Sequence, residues 1–197
     1  MKKTGAWLTR YALEQIGVTH TFGIPGFHNT AIYTELQQSD TITPSLVTHE
    51  ASAAFMADAI SRTTRSIGTL LVIPGAGVTH AASGIGEAFL GGIPMLVIAG
   101  GIDYQTSHRF QRQDIDHRAL LAPITKATYL VEHLSDIVPT IFEAYRTAIE
   151  GEPGPVFVEI PINLQTHSID NDGALPVFDG HRITPPLDMA AIELAAG

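Results

Sequence analysis

Two short runs in this 197-residue chain, Gly68 to Ile73 and Pro94 to Ala99, are apolar almost from end to end, and a third, Pro155 to Ile160, is mostly apolar. A strand with one wet face alternates apolar and polar residues, so a run without alternation is a strand covered on both faces. Stretches of helical period lie between and before these runs. Thr4 is placed to cap a helix with Trp7, Leu8, Tyr11, Ala12 and Ile16 on one face, ending at Gly17. A strand from Thr19 to Ile24 meets the turn Pro25-Gly26, and Asn29 is placed to cap a helix through Leu36. A strand from Ile42 to Val47 leads into a helix from Glu50 to Arg62. The turn Pro74-Gly75-Ala76-Gly77 precedes a small-residue helix to about Leu90. Further strands are expected at Ile124 to Val131 and Pro155 to Ile160, with a helix between them from Ser135 to Glu150. This alternation predicts an α/β fold: a doubly wound, mainly parallel six-stranded sheet with helices on both faces. Ligands of such sheets bind outside the carboxyl ends of the strands.

The expected domain occupies residues 1–165. Residues 166–186, rich in Asp, Gly and Pro, read as a linker. After Pro185-Pro186 an amphipathic helix begins, with Met189, Ile192 and Leu194 on one side, so 187–197 is expected to open a further, central domain. There is no internal repeat.

Composition narrows the function classes. A formal net charge of −9 leaves no basic face for nucleic acid or an anionic membrane. The absence of cysteine removes disulfides, thiolate metal sites and a cysteine nucleophile. Lys2 and Lys3 precede an amphipathic helix and not the apolar core of a signal peptide. No apolar run reaches membrane-spanning length. With 45% hydrophobic and 16% charged residues, the expectation is a soluble cytoplasmic domain.

Four polar or glycine-rich features fall at strand ends. The first is Phe22 to Asn29, where Gly26 permits a tight βα turn or close approach to a ligand. The second is Thr48-His49-Glu50, a carboxylate in a first helical turn with Thr48 as a possible cap. Ala51, Ala53, Ala54, Phe55, Met56, Ala57 and Ala59 predict that this helix is buried. The third is Pro74 to His80. A dinucleotide turn needs a third glycine where His80 stands and an acid about twenty residues on, so it points instead to a tight turn presenting backbone amides. The fourth is the loop Asp103 to His117, with His108, Arg109, Arg112, Gln113, Asp114, Asp116 and His117. It lacks metal-ligand spacing and reads as a solvated polar loop.

Taken in order, Phe-Gly-Ile-Pro-Gly (22–26), His-Glu-Ala-Ser-Ala-Ala-Phe-Met-Ala-Asp (49–58), Gly-Ala-Gly-Val-Thr-His (75–80) and Gly-Gly-Ile-Pro-Met-Leu-Val-Ile-Ala-Gly (91–100) resemble the N-terminal, pyrimidine-binding domain of thiamin-diphosphate enzymes. That family includes acetolactate synthase and benzoylformate decarboxylase. Phe110 to Asp116, Pro123 to Lys126 and Gly154 to Pro161 extend the resemblance, which runs from about residue 4 to 165. It implies that Glu50 is the catalytic carboxyl that hydrogen-bonds N1′ of the cofactor's aminopyrimidine and so promotes loss of the thiazolium C2 proton. It places Pro25 and Gly26 at the reacting end of the cofactor. Gly75, Ala76, Gly77 and His80 fall against the pyrimidine, with Gln113 on the later loop. Phe27 and His28 would face the substrate, Phe27 as an apolar wall and His28 as a proton donor.

The chain departs from the family pattern at Ala76, where proline is usual, and at His80, where asparagine is usual. Ile73 stands where benzoylformate decarboxylase carries a catalytic histidine, so that mechanism is not implied. The Gly-Asp-Gly motif that holds the diphosphate through Mg²⁺ is also absent. Asp172-Gly173 lacks the preceding glycine, so the Mg²⁺ ligands are expected in a C-terminal domain outside this chain, and no metal ligand within it. The resemblance thus implies part of a 2-oxo-acid decarboxylase or carboligase, assembled as a homodimer or homotetramer and inactive as this chain alone. Two other readings stand beside it: a natural small subunit of a split decarboxylase, and a non-catalytic interaction domain of the same fold.

Overall fold

The computed structural model describes residues 2–106, 112–170, 173–180 and 189–196. The chain opens with strand β1 (Lys2–Thr4) and helix α1 (Gly5–Gln15). Thr4 caps α1 as expected, its Oγ1 accepting the Trp7 N–H at 3.1 Å. There follow β2 (His20–Gly23), α2 (Thr30–Leu36), β3 (Thr43–Leu46), α3 (Glu50–Thr63), β4 (Gly68–Val72), α4 (Ala76–Leu90) and β5 (Met95–Gly101). The second half adds α5 (His117–Leu121), β6 (Ala127–Leu130), α6 (Ile137–Ile149), β7 (Pro155–Pro161), α7 (Ile162–Thr166), β8 (Ser168–Asp170) and α8 (Met189–Ala196).

The main sheet has six strands in the order β3-β2-β4-β5-β7-β6, all parallel. Register runs Phe22 beside Leu70, Leu70 beside Val97, and Val97 beside Phe157. The three apolar-rich runs are β4, β5 and β7 at the sheet's centre. Alternate residues serve the two faces, as a period of two requires. Leu71, Leu96, Ile98, Val156 and Val158 pack with α1, α2 and α6. Phe22, Leu70, Val72, Val97, Ala99 and Phe157 pack with α3 and α4. Those two helices meet the sheet through alanines, Ala53, Ala54 and Ala57 on α3 and Ala81 and Ala88 on α4. Small side chains there let the backbones approach, which accounts for the alanine-rich composition.

From β2 the chain moves outward to the edge strand β3, then crosses back to β4 and onward to β5. Helices α2 and α4, which follow β2 and β4, therefore lie on opposite faces. The neighbouring carboxyl ends of β2 and β4 open a crevice, the switch point of a doubly wound sheet.

Several local expectations change. The strand expected from Ile124 begins at Ala127, because α5 and a 3-10 turn at Ala122–Ile124 come first. The stretch expected to be irregular from Gln165 finishes α7 and then forms β8, which pairs antiparallel with β1. Beyond it, Phe178 packs edge-on against Phe142 and Tyr145 of α6, and Asp179 Oδ1 lies 3.1 Å from Arg146 Nη2. Residues 171–172 and 181–186 of the expected linker lie outside the described residues. Helix α8 forms where it was expected, with Met189, Ile192 and Leu194 exposed. No helix among the described residues is long and apolar enough to cross a membrane.

Candidate active site

The turn after β2 is built by Asn29. Its side chain does not cap α2. Instead Oδ1 accepts the Gly26 N–H at 2.7 Å and Nδ2 donates to the Ile24 carbonyl at 3.2 Å. Asn29 is fully buried, and its amide satisfies both sides of the turn at once. Gly26 lies against Ile73, whose Cγ2 is 2.7 Å from where a Cβ would stand. Phe27 is 80% exposed and meets the His28 ring edge-on at 5.2 Å. Pro25 points elsewhere, lining a separate cavity of about 370 Å³ with Tyr33, Pro44 and Leu46.

Glu50 begins α3 and is only 7% exposed. The cap of this helix is His49, whose Nδ1 accepts the Ala51 N–H at 3.1 Å, and not Thr48. Glu50 Oε2 lies 3.2 Å from His80 Nδ1, and the His80 ring stacks on His49 at 5.1 Å. Glu50 Oε1 faces the space over Gly77, 3.6 Å from the position of an absent Cβ. Beneath it, the Tyr33 hydroxyl donates to the Leu71 carbonyl at 3.2 Å. Burial, then the Glu50 charge, push the Tyr33 phenol pKa up, so it stays protonated. Helix α3 is buried on one face only. Ala53, Ala54 and Ala57 are inside, whereas Phe55 and Met56 are exposed because the helical period turns them away from the sheet.

The glycine turn caps α4 at Gly75, whose φ of +65° is left-handed. Its amide is not offered to a ligand, as the sequence had led us to expect. It donates to His117 Nε2 at 2.7 Å. Gln113 sits over Gly75, its Cβ 2.8 Å from where a Gly75 Cβ would stand. Phe27, His28, Ile73, Arg112 and Gln113 line a cavity of about 350 Å³. Ile73 is thus a hub, touching Gly26, Gly77 and this cavity. Ala76 is exposed at the rim.

The long polar loop is not solvated throughout. His117 is 1% exposed and faces Glu159, also 1% exposed, with Nδ1 3.3 Å from Oε2. Sequence reasoning placed His117 in a solvated loop and passed over Glu159, although a lone carboxylate inside the mostly apolar run Pro155 to Ile160 was a signal. His108 and Arg109 lie outside the described residues. No group of three His, Asp or Glu able to hold a metal occurs among the described residues. Burial lowers the His28 pKa from its ordinary value. The Gln113 hydrogen bond opposes this and the Arg112 charge adds to it.

A parallel α/β sheet with a nearly buried carboxylate and a tight glycine turn converging at its switch point defines a cofactor-binding domain. Residues 3–120 match the family described as thiamine pyrophosphate enzyme, N-terminal TPP binding domain, and the chain belongs to that family. Similar proteins include an acetolactate synthase of Arthrospira platensis, 36% identical over 170 residues, covering 85% of this chain and 29% of that protein. The acetolactate synthase of Bacillus subtilis is 36% identical over 192 residues, covering 96% of this chain and 33% of that protein. The isozyme 1 large subunit of acetolactate synthase from Escherichia coli K12 is 34% identical over 163 residues, covering 83% and 29%. The chain therefore spans about a third of the length of these relatives.

The residues present fit thiamin diphosphate at its pyrimidine end. The carboxyl oxygen turned toward Gly77 borders a space that any side chain at that position would fill.

Proposed function

We propose that this chain is the cofactor-activating N-terminal part of an enzyme of the acetolactate synthase type, a thiamin-diphosphate-dependent decarboxylase or carboligase acting on a 2-oxo acid. The observation that carries this reading is Glu50, nearly buried, with Oε1 turned into the space over Gly77. When bound, the cofactor supplies a thiazolium that accepts the electron pair released beside the substrate carbonyl. Glu50 Oε1 would hold the pyrimidine N1′, and a hydrogen bond made in so poorly solvated a place is strong. His80 keeps Oε2 occupied, which leaves Oε1 as the contact atom and orients the carboxyl plane. Gly75, Ala76 and Gly77 shape the pyrimidine wall, and Gly26, packed against Ile73, stands toward the reacting end.

Phe27 offers an apolar wall without a hydrogen-bond donor, which favours an uncharged or aliphatic tail on the 2-oxo acid over a second carboxylate. His28 and Gln113 share the adjoining cavity. Because burial lowers the His28 pKa, this ring acts near neutral pH chiefly as an uncharged N–H donor. The Mg²⁺ and diphosphate ligands belong to a C-terminal domain of the complete protein. Exposed Phe55, Met56, Phe89 and Leu90 on α3 and α4 support an assembly of at least two copies.

Glu50→Gln in the complete protein tests this reading. The amide keeps the shape but cannot exchange a proton with N1′. Deuterium exchange at the cofactor's C2 is expected to slow by about 10²–10⁴-fold, with the circular dichroism spectrum retained. An unchanged exchange rate removes Glu50 from the mechanism.

A further inference from the structure

Buried ionisable groups are expensive unless they are paired, and apolar residues of similar size would fill the same space at lower cost. His117 and Glu159 form such a pair, and the reaction outlined above uses neither. Three elements meet there. Tyr104, just after β5, donates its hydroxyl to Glu159 Oε1 at 2.8 Å. His117, at the start of α5, places Nδ1 3.3 Å from Glu159 Oε2, an ion-pair distance without hydrogen-bond geometry. The other ring nitrogen, Nε2, receives the Gly75 amide at 2.7 Å, across 42 residues of sequence. Gly101 makes room for the carboxyl, since a Cβ there would stand 2.9 Å from Glu159 Oε1.

The directions of these bonds determine where the ring proton is. Nε2 accepts from an amide, so it must present its lone pair, and the ring proton then sits on Nδ1, facing the carboxylate. Gly75 has no side chain and caps α4 without a side-chain hydrogen bond. The nitrogen supplied by His117 satisfies the amide of the N-cap residue itself and holds the left-handed turn from behind.

We propose that His117 is a positioning residue for the glycine turn, and that Glu159 fixes its ring so that Nε2 receives the Gly75 amide. The orientation of Gly77 and Glu50 Oε1 is then set in part by a pair that touches neither. Its value to catalysis rests on the proposed function, but the geometric claim does not, so the test is made without cofactor.

In the ¹⁵N-labelled chain, imidazole nitrogen shifts report the tautomer directly. The His117 proton is expected on Nδ1, and a proton on Nε2 overturns the proposal. Two variants follow. His117→Leu removes the acceptor, and His117→Gln returns an oxygen near the same position. Hydrogen exchange at the Gly75 amide is expected to quicken by about tenfold in the leucine variant relative to β4 and β5 amides, and to recover in the glutamine variant. Equal loss of protection throughout the sheet, or no recovery with glutamine, shows a merely structural residue and overturns the proposal. A failure of Glu50→Gln to slow C2 exchange counts against the proposed function alone.

Discussion

Glu50, His80 and His28 reach the candidate site with different freedoms. Glu50 is held between a helix start and a histidine, whereas His28 balances three influences. Desolvation and the Arg112 charge disfavour its protonated form, and the Gln113 hydrogen bond favours it, with desolvation the largest. The titration midpoint of His28, followed by NMR, is therefore expected below the ordinary 6.5. The sign of its effect on stability follows. Well above pH 6.5 neither state is protonated there and His28 contributes nothing to the pH dependence. As pH falls from 6.5 through the lower folded value, the unfolded chain binds the proton first and stability is lost. His28→Asn is expected to flatten that part of a stability–pH curve measured by urea denaturation. A curve of unchanged slope would show that the ring titrates alike in both states. Of these residues, Glu50 was legible in the sequence because its neighbours carry the family pattern. The His117–Glu159 pair was not, since the two lie 42 residues apart and only packing brings them together.

At the scale of elements, helix starts show what a local pattern can and cannot settle. Thr4 caps α1 as expected, because nothing else competes for its hydroxyl. Asn29 was an equally good cap by type, yet its amide is taken by the backbone of the Pro25-Gly26 turn. At α3 the histidine beside the expected threonine does the capping. At α4 no side chain caps, and the amide of the N-cap Gly75 finds its acceptor on a distant helix. The glycine turn gives a quantitative test. Gly17 and Gly75 are both left-handed, with φ of +76° and +65°, but only Gly75 is crowded. Gly17→Ala meets nothing within 4 Å and is expected to cost about 1–2 kcal/mol, the strain of the conformation alone. Gly75→Ala adds a clash with Gln113 and is expected to cost about 1–3 kcal/mol more, both read from denaturation midpoints. Equal losses would mean that Gln113 moves aside freely and does not hold the turn.

For the whole molecule, the chain spans about a third of its relatives, and a pyrimidine site is only one end of a thiamin-diphosphate site. The purified 197-residue chain is expected to show negligible turnover of 2-oxo acids with thiamin diphosphate and Mg²⁺. Robust turnover would place the diphosphate ligands within this chain and overturn that division of labour. The parallel sheet was readable in advance because strands buried on both faces are mostly apolar without alternation, and three such runs separated by helical periods admit few arrangements. The segment after α7 was misread for the same kind of reason. Its few apolar residues show no period, and only contact with α6 gives Phe178 a role. What the sequence determined by itself was the class of fold, the order of the six main strands and the longer helices between them, and the carboxylate at the head of α3. Period and turn chemistry act over a few residues, and those features need no more. Tertiary structure alone decided which polar groups meet: Glu50 with His80, Gln113 with Gly75, and His117 between Glu159 and the glycine turn. Hydrogen bonds depend on separations of tenths of an ångström between groups far apart in sequence, and only the packed sheet sets those distances.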